Sequence, residues 1–312
     1  MSLFGKIPAL IIGGVVAFSL VAVPVVMAQS GDQQSGGGSG LQLSPTRTEI
    51  TATPGESKTF TISLKNVTQG DVTAKAFLND FESDGQSGTP KIIVDENKDK
   101  TPFSIKQMIT DLEDINIKPG ETKQIEHTVT IPAGAAPGAY FGALRYAAVP
   151  AGQEAASDER KVSLTASVAH LVFVEIPGDV VQKIELSNVQ ATGKDGKSVP
   201  FYKAPTNAAV TVKNLGNGFS RPFGKVTVYR GSSTVHSYDV NNTDPKGIVL
   251  PQSSRTFTDE IKNIKTPGKY KISAGVAYGN GGEVVTFEKS FWYLPLWFLG
   301  VLALVVILLV VG

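Results

Sequence analysis

The sequence predicts an all-β protein made of two tandem immunoglobulin-like β-sandwiches followed by one transmembrane helix. Short runs rich in Val, Ile and Thr alternate apolar and polar residues, which is typical of half-buried strands. Gly (32 residues) and Pro (18 residues) recur between these runs as turn signals. Long apolar stretches without charge stand at the two ends of the chain. These three observations together favour sandwiches over helical domains and predict membrane-related ends.

Residues 1–28 are predicted to be a secretory signal peptide. Lys6 is their only charge, an apolar run continues to Val26, and Ala28 supplies the small residue that precedes a cleavage point. The run is long for a signal peptide, so an uncleaved membrane anchor stays open as the alternative. Residues 29–40 consist mainly of Gly, Ser and Gln and predict a flexible spacer.

The first sandwich is predicted over residues 41–177. Ser57–Asn66 is its clearest strand, because apolar and Thr or Ser residues alternate along it. Within 162–176 apolar residues occupy the even positions before His170, and Leu171 and Phe173 occupy odd positions after it, which predicts a β-bulge near His170. An exposed loop is expected at 151–161. Further strands are expected at 72–78, 91–94, 123–131 and 140–149.

The second sandwich is predicted over residues 178–290, after a boundary marked by Pro177 and Gly178. A strand is expected at 269–278, and within it Tyr270–Tyr278 is the clearest alternating face in the chain. Turn signals such as Asn217-Gly218 separate its strands. Other strands are expected at 181–189, 208–213, 225–230, 255–261 and 284–290.

Residues 291–312 carry no charge and are predicted to form a transmembrane helix. At about 1.5 Å per residue they cover roughly 33 Å, enough for a hydrocarbon core of about 30 Å. Trp292, Tyr293 and Trp297 cluster at the start, where aromatic side chains act as membrane-interface anchors. The predicted location is therefore the cell membrane, crossed once, with most of the chain outside the cytoplasm.

Composition excludes several classes of function. The 29 Lys and Arg balance the 28 Asp and Glu, so no basic face for nucleic acid is expected. The absence of Cys excludes disulfides, thiol catalysis and iron–sulfur ligation. The three His are far apart, and no Gly-x-Ser-x-Gly elbow occurs. We therefore expect no metal, no cofactor and no enzymatic activity.

Asp80, Glu82 and Asp84 are followed by Gly85, which resembles the opening of a calcium loop. The twelfth position of that loop needs a bidentate Glu and holds Lys91 instead. A solvated turn between strands is therefore the expected structure.

The first domain carries its motifs in a specific order. Leu43-Ser44-Pro45-Thr46-Arg47 comes first, Pro54-Gly55-Glu56 then opens a strand, and Pro119-Gly120-Glu121 repeats that device before Gly138-Ala139-Tyr140-Phe141-Gly142. This order, with a signal, two domains and a final helix, resembles the WxL-interacting protein family of bacterial surface proteins. The resemblance implies peptidoglycan binding by the first domain and protein binding by the second.

The first domain is also similar to the N-terminal domain of PapD-type pilus chaperones. In that family an Arg near the start and a Lys on the long last strand hold a client's terminal carboxylate. Arg47 matches the Arg by pattern, whereas 162–176 contains no Lys. This second resemblance implies an assembly chaperone for exported surface or pilus subunits.

Two functions are therefore expected. The main one is a membrane-anchored adhesion scaffold that binds cell-wall polymer through its first domain and a protein through its second. The alternative is the assembly chaperone. If 162–176 forms a sheet edge, a partner binds by strand addition. The candidate partner-binding residues are Arg47, His170, Leu171 and Phe173.

Overall fold

The computed structural model describes residues 40–94, 101–150, 167–279 and 282–311. These residues belong to one unit that runs from Gln33 to Gly312. The predicted signal peptide at 1–28, spacer residues 29–39, the loop at 151–161 and the first five residues of the long strand at 162–176 lie outside the described residues.

The described chain is all-β, as predicted, apart from one helix at its end. The strands up to Ile176 form a three-stranded sheet in the order β1-β3-β8, a five-stranded sheet in the order β2-β10-β9-β4-β7, and a small β5–β6 hairpin. Their bounds are β1 Leu41–Ser44, β2 Arg47–Thr51, β3 Ser57–Asn66, β4 Val72–Asn79, β5 Phe81–Ser83, β6 Pro90–Ile92, β7 Ile115–Ile117, β8 Thr122–Thr130, β9 Gly138–Pro150 and β10 Ser167–Ile176.

The later strands form a second pair of sheets, in the orders β11-β12-β15 and β14-β13-β16-β17. Alternate residues of β16 are buried and the others are half-buried, which matches the apolar alternation in its sequence. The strands are β11 Ile184–Thr192, β12 Asn207–Asn214, β13 Phe223–Arg230, β14 Ser233–Val240, β15 Ser254–Glu260, β16 Gly268–Tyr278 and β17 Glu283–Tyr293.

Each pair of sheets encloses its own apolar core. In the first pair, Ile62 and Leu64 on β3 pack in one cluster with Leu144 on β9 and Val172 on β10. The second core is formed mainly by Val, Ile and Tyr side chains of β11–β13 and β16, together with Val240 of β14 and Phe257 of β15. Two sandwiches with separate cores therefore follow one another along the chain.

A buried asparagine holds the end of one strand in each sandwich. Asn66 donates from Nδ2 to the carbonyls of Gly70 (2.8 Å) and Ile117 (2.9 Å). Asn214 donates in the same way to the carbonyls of Gly218 (2.8 Å) and Val249 (3.0 Å). Both side chains accept in turn from the amide two residues later. Each one satisfies backbone groups that the sheets leave unpaired.

Over Leu171–Glu175, half of its length, strand β10 is not a sheet edge, which corrects the strand-addition prediction for Leu171 and Phe173. It lies between β9 and the parallel strand β2, which covers Leu171–Glu175. Its pairing with β9 is continuous, so the predicted bulge near His170 is also wrong. Apolar residues occupy both odd and even positions because both faces of β10 are buried. Val172 faces the first core, and Phe173 packs against residues of the second sandwich.

The predicted helix over residues 291–312 is wrong at its beginning. Phe291 and Tyr293 extend β17, and the ring of Phe291 stacks on Tyr270 with centroids 5.4 Å apart. Pro295 then precedes helix α1, Leu296–Val311, which has 16 residues. Within the described residues, no helix is both long and apolar enough to cross a membrane.

Candidate functional site

Side chains of both sandwiches meet in one apolar cluster, which we call the junction cluster. The first sandwich supplies Phe141 and Phe173, which project from β9 and β10 away from the first core. Phe173 meets Phe219 of the second sandwich edge to face, with centroids 5.5 Å apart. The full cluster is Phe81, Ala139, Phe141, Ala143, Phe173, Phe219, Ile248 and Leu250.

Charged side chains border the junction cluster. Glu49 on β2 pairs with Arg47 of the same strand and with Arg221 of the second sandwich. Arg221 also approaches Glu175 at 3.8 Å, and the guanidinium of Arg47 lies 4.7 Å from the ring centroid of Phe173. These pairs are about one-third exposed, so each contributes at most about 1 kcal/mol. The Glu49 carboxylate, which both arginines share, therefore orients the two sandwiches, and it supplies little of the free energy that holds them together.

The β5–β6 hairpin of the first sandwich reaches β15 of the second. The hydroxyl of Ser83 donates to the carbonyl of Ser254 at 3.2 Å. Asp84 closes the hairpin turn by accepting from three backbone amides and from Ser87, and these bonds lower the pKa of its carboxyl. Because its oxygens are used in this way, Asp84 is a turn residue, as the sequence predicted, and is not arranged as a calcium ligand.

Arg255 on β15 lies beside the hairpin turn and places a further positive charge at the junction. Its Nη1 donates to the carbonyl of Ile248 at 3.1 Å. Burial lowers the pKa of Arg255, the charge of Arg47 lowers it further, and Asp84 acts in the opposite direction. The junction is therefore electrostatically coupled across the two sandwiches.

A groove of about 620 Å³ opens between the sandwiches next to the junction cluster, and we call it the junction groove. Three phenyl rings, Phe81, Phe103 and Phe141, line it from the first sandwich. The second sandwich adds Leu250, and both sandwiches contribute to a polar rim. The rim residues are Glu82, Ser83, Gln252, Ser253 and Ser254. This volume and the mixture of aromatic and polar groups are typical of sites that receive small ligands or short segments of a partner.

The structure brings together three of the four candidate residues. Arg47, Leu171 and Phe173 lie at the junction, where Leu171 packs partly buried against the junction cluster. His170 is fully buried and faces the other way, with its ring stacked on Phe60 at 5.3 Å. Its Nδ1 is 2.7 Å from the carbonyl oxygen of Pro45, and burial lowers its pKa to about 4. His170 is thus a core residue that no partner can reach in the folded protein.

Sequence reasoning missed the other half of the site. Leu250 and Gln252 lie more than 100 residues after Phe141, and no motif in the sequence marks them. The local pattern around Phe103 also gives no sign that its ring meets Phe141, with centroids 5.9 Å apart. Only the packing of the two sandwiches reveals this groove.

A second groove, of about 530 Å³, lies on the first sandwich alone, and we call it the polar groove. Ser104, Gln107 and Tyr140 line it together with Gly134, and the hydroxyl of Tyr140 donates to the carbonyl of Ala136 at 3.0 Å. Among the described residues, no group of three or more His, Asp or Glu is arranged to hold a metal ion.

Comparison with known proteins gives structural likenesses alone. No family model and no curated protein matches the chain. The Class 5 fimbriae chaperone CfaA is 12% identical with a TM-score of 0.39, and the match covers 80% of this chain and 98% of CfaA. The Pseudomonas aeruginosa CupB2 chaperone is 16% identical, with a TM-score of 0.33 and coverages of 79% and 98%.

A third likeness is to the Salmonella enterica SafA pilin in complex with the SafB chaperone. The match is 13% identical with a TM-score of 0.35, and it covers 80% of this chain and 95% of the other. Likenesses with TM-scores this low do not by themselves establish a shared fold or function. The resemblance to WxL-interacting proteins stays a prediction.

Proposed function

We propose that the protein is a non-catalytic binding protein that acts outside the cytoplasmic membrane and holds an exported protein at the junction of its sandwiches. This role corresponds to the predicted assembly chaperone more closely than to the adhesion scaffold. The observation that supports it is the junction groove, where three phenyl rings of the first sandwich lie beside a polar rim that both sandwiches supply. An apolar side chain of the partner can pack against the three phenyl rings of the groove, and the partner's backbone can form hydrogen bonds with the polar rim.

The contacts around the groove suit a binding site better than a hinge. The Glu49–Arg221 pair, the Ser83–Ser254 hydrogen bond and the Phe173–Phe219 contact all join the two sandwiches. A groove whose walls are held in this way is largely formed before the partner arrives. Binding then requires little additional ordering of the protein, which favours affinity.

We expect the Glu82→Trp variant to abolish partner binding. Glu82 is exposed on β5 and lines the groove, so an indole there occupies the space above the phenyl rings without disturbing the core. The partner is captured in producing cells by a photo-crosslinking amino acid at position 103 and identified by mass spectrometry. Crosslinking should fall at least tenfold in the Trp variant.

Ser233→Trp is the matched control, because Ser233 is exposed at the start of β14 and does not line the groove. It should leave the crosslink unchanged. If Glu82→Trp and Ser233→Trp give the same crosslinking as the unsubstituted protein, the junction groove is not the binding site and the proposal fails.

The polar groove supports binding of cell-wall polymer as a second candidate function. Hydroxyl and amide groups of Ser104, Gln107 and Tyr140 are suited to hydrogen-bonding a glycan. A Cβ at Gly134 meets nothing within 4 Å, so Gly134→Trp places a large side chain in the groove without a backbone clash. We expect the full chain in detergent to sediment with peptidoglycan sacculi and Gly134→Trp to reduce that retention. Retention that is equal in Gly134→Trp and Ser233→Trp, or absent throughout, contradicts polymer binding at this groove.

We also propose that α1 attaches the protein to a membrane. Its 16 residues are all apolar or Gly, and none of them is buried against the sandwiches. Exposed apolar area of this extent is unfavourable in water. Insertion into lipid removes it, which agrees with the predicted location at the cell membrane.

A further inference from the structure

Four exposed aromatic side chains belong to two segments that meet near the beginning of α1, and we call them the aromatic collar. Trp292 lies near the end of β17 and Trp297 in the first turn of α1, and they are 53% and 62% exposed. Phe201 and Tyr202 come from the loop between β11 and β12, and they are 52% and 38% exposed. Their sequence positions are about 90 residues apart, so only the fold unites them.

Direct contacts hold the loop beside the helix base. The backbone amide of Leu294, two residues before α1, donates to the carbonyl of Phe201 at 2.7 Å. The loop is a closed turn, since the amide of Lys203 donates to the carbonyl of Pro200 at 2.9 Å. A cavity of about 170 Å³ is lined by Val199 of the loop together with Trp292 of β17. Phe201 and Tyr202 are therefore fixed at the level where the helix begins.

Isolated exposed aromatic residues are ordinary on a protein surface. The collar differs because its members lie on segments that meet at the beginning of an uncharged helix, none of whose residues is buried. Trp and Tyr favour the headgroup region of a bilayer, where the ring is in apolar surroundings and the polar group stays wet. Lys203 is exposed directly after Tyr202 and can meet an anionic headgroup.

We propose that the loop at residues 200–203 is a second lipid-binding element, so that the aromatic collar seats the second sandwich on the surface of an anionic bilayer. This inference rests on the proposed attachment by α1. With the helix and the loop both in contact with lipid, the second sandwich has two points of attachment. Its tilt relative to the membrane is then fixed, whereas a helix alone leaves the ectodomain free to swing.

The absence of Cys from the chain permits a direct test with single labelled cysteines. Tyr202→Cys reports on the loop, Leu304→Cys on α1, and Ser233→Cys on a surface outside the collar. Each full-length variant carries a bimane label and is reconstituted in vesicles of phosphatidylcholine with phosphatidylserine. Spin-labelled lipids quench bimane at headgroup depth or in the acyl region.

The proposal predicts quenching of position 202 by headgroup quenchers, quenching of position 304 by acyl quenchers, and no quenching of position 233. If position 304 is quenched and position 202 is not, α1 attaches the protein but the loop has no lipid contact, and the inference is wrong. If position 304 is not quenched, the attachment itself fails and the inference fails with it.

Substitutions give an independent measurement of vesicle partitioning. Phe201→Ser combined with Tyr202→Ser should weaken partitioning roughly tenfold, because two apolar surfaces leave the interface. Lys203→Glu should weaken it at least fivefold on anionic vesicles and little on neutral ones. Val284→Ser is the control, since Val284 is 62% exposed at the opposite end of β17. Equal partitioning of the double variant and Val284→Ser would overturn the inference.

Discussion

The His170→Gln variant is expected to lose markedly less stability than the unsubstituted protein when the pH is lowered from about 7 to about 4. His170 is fully buried in the first core, and burial lowers its pKa from 6.5 to about 4. Between these values the unfolded chain binds a proton that the folded protein does not. The contribution of His170 to the free energy of unfolding is therefore fully present above about pH 6.5 and decreases as the pH falls towards 4. Below about pH 4 this residue causes no further loss of stability.

The size of the effect follows from the two pKa values. A pKa of 6.5 in the unfolded chain and about 4 in the folded protein corresponds to about 3 kcal/mol of unfolding free energy. His127 acts in the same direction, because burial lowers its pKa too; its Nε2 is 2.7 Å from the hydroxyl of Tyr146. His170→Gln removes the contribution of His170 and keeps that of His127. The free energy of unfolding of the variant should therefore still depend on pH, but less steeply.

Urea unfolding at a series of pH values, followed by circular dichroism, measures this difference. Val168→Ala is the control: Val168 is buried on the same strand and does not titrate. It should lower stability by a similar amount at each pH. A pH dependence in His170→Gln as steep as that of Val168→Ala would show that His170 does not cause the acid sensitivity.

The Asn66→Ala variant is expected to lose about 3 kcal/mol of unfolding free energy. Asn66 is fully buried, and its amide group donates to the carbonyl of Gly70 in the loop after β3 and to that of Ile117 at the end of β7. Alanine leaves the carbonyl of Ile117 and the backbone amide of Thr68 without this partner, whereas the carbonyl of Gly70 keeps its hydrogen bond from the hydroxyl of Thr68. A buried polar group that is left without a partner costs about 1–3 kcal/mol.

Asn116→Ala is the matched control. Asn116 is exposed on the short strand β7, where its Oδ1 accepts from the hydroxyl of Thr73 at 2.6 Å. Its loss should change the free energy of unfolding by less than about 0.5 kcal/mol. Equal urea-unfolding midpoints for the two variants would contradict a structural role for Asn66.

The strands that the sequence predicts best are those with one buried face. Ser57–Asn66 has the predicted bounds, and β16 begins one residue before the predicted start. Strand β14 is not predicted by the sequence because a β-bulge at Val235 breaks the alternation of its apolar residues, and half of its side chains are exposed. Strand β2 was missed because Ile50 is its only apolar residue. Edge strands are paired by the backbone, which leaves little trace in the side-chain pattern.

By itself the sequence determined the all-β class, the positions of the half-buried strands and the exposed apolar helix near the C-terminus, because burial of one face imposes a period on the residues of each element. The tertiary structure decided the rest. It put Phe173 under the second sandwich and His170 in the core, although the two are three residues apart on one strand. It also joined Phe103 to Leu250 and Phe201 to Leu294. These contacts depend on how separate segments pack together, and no local pattern of residues encodes such packing.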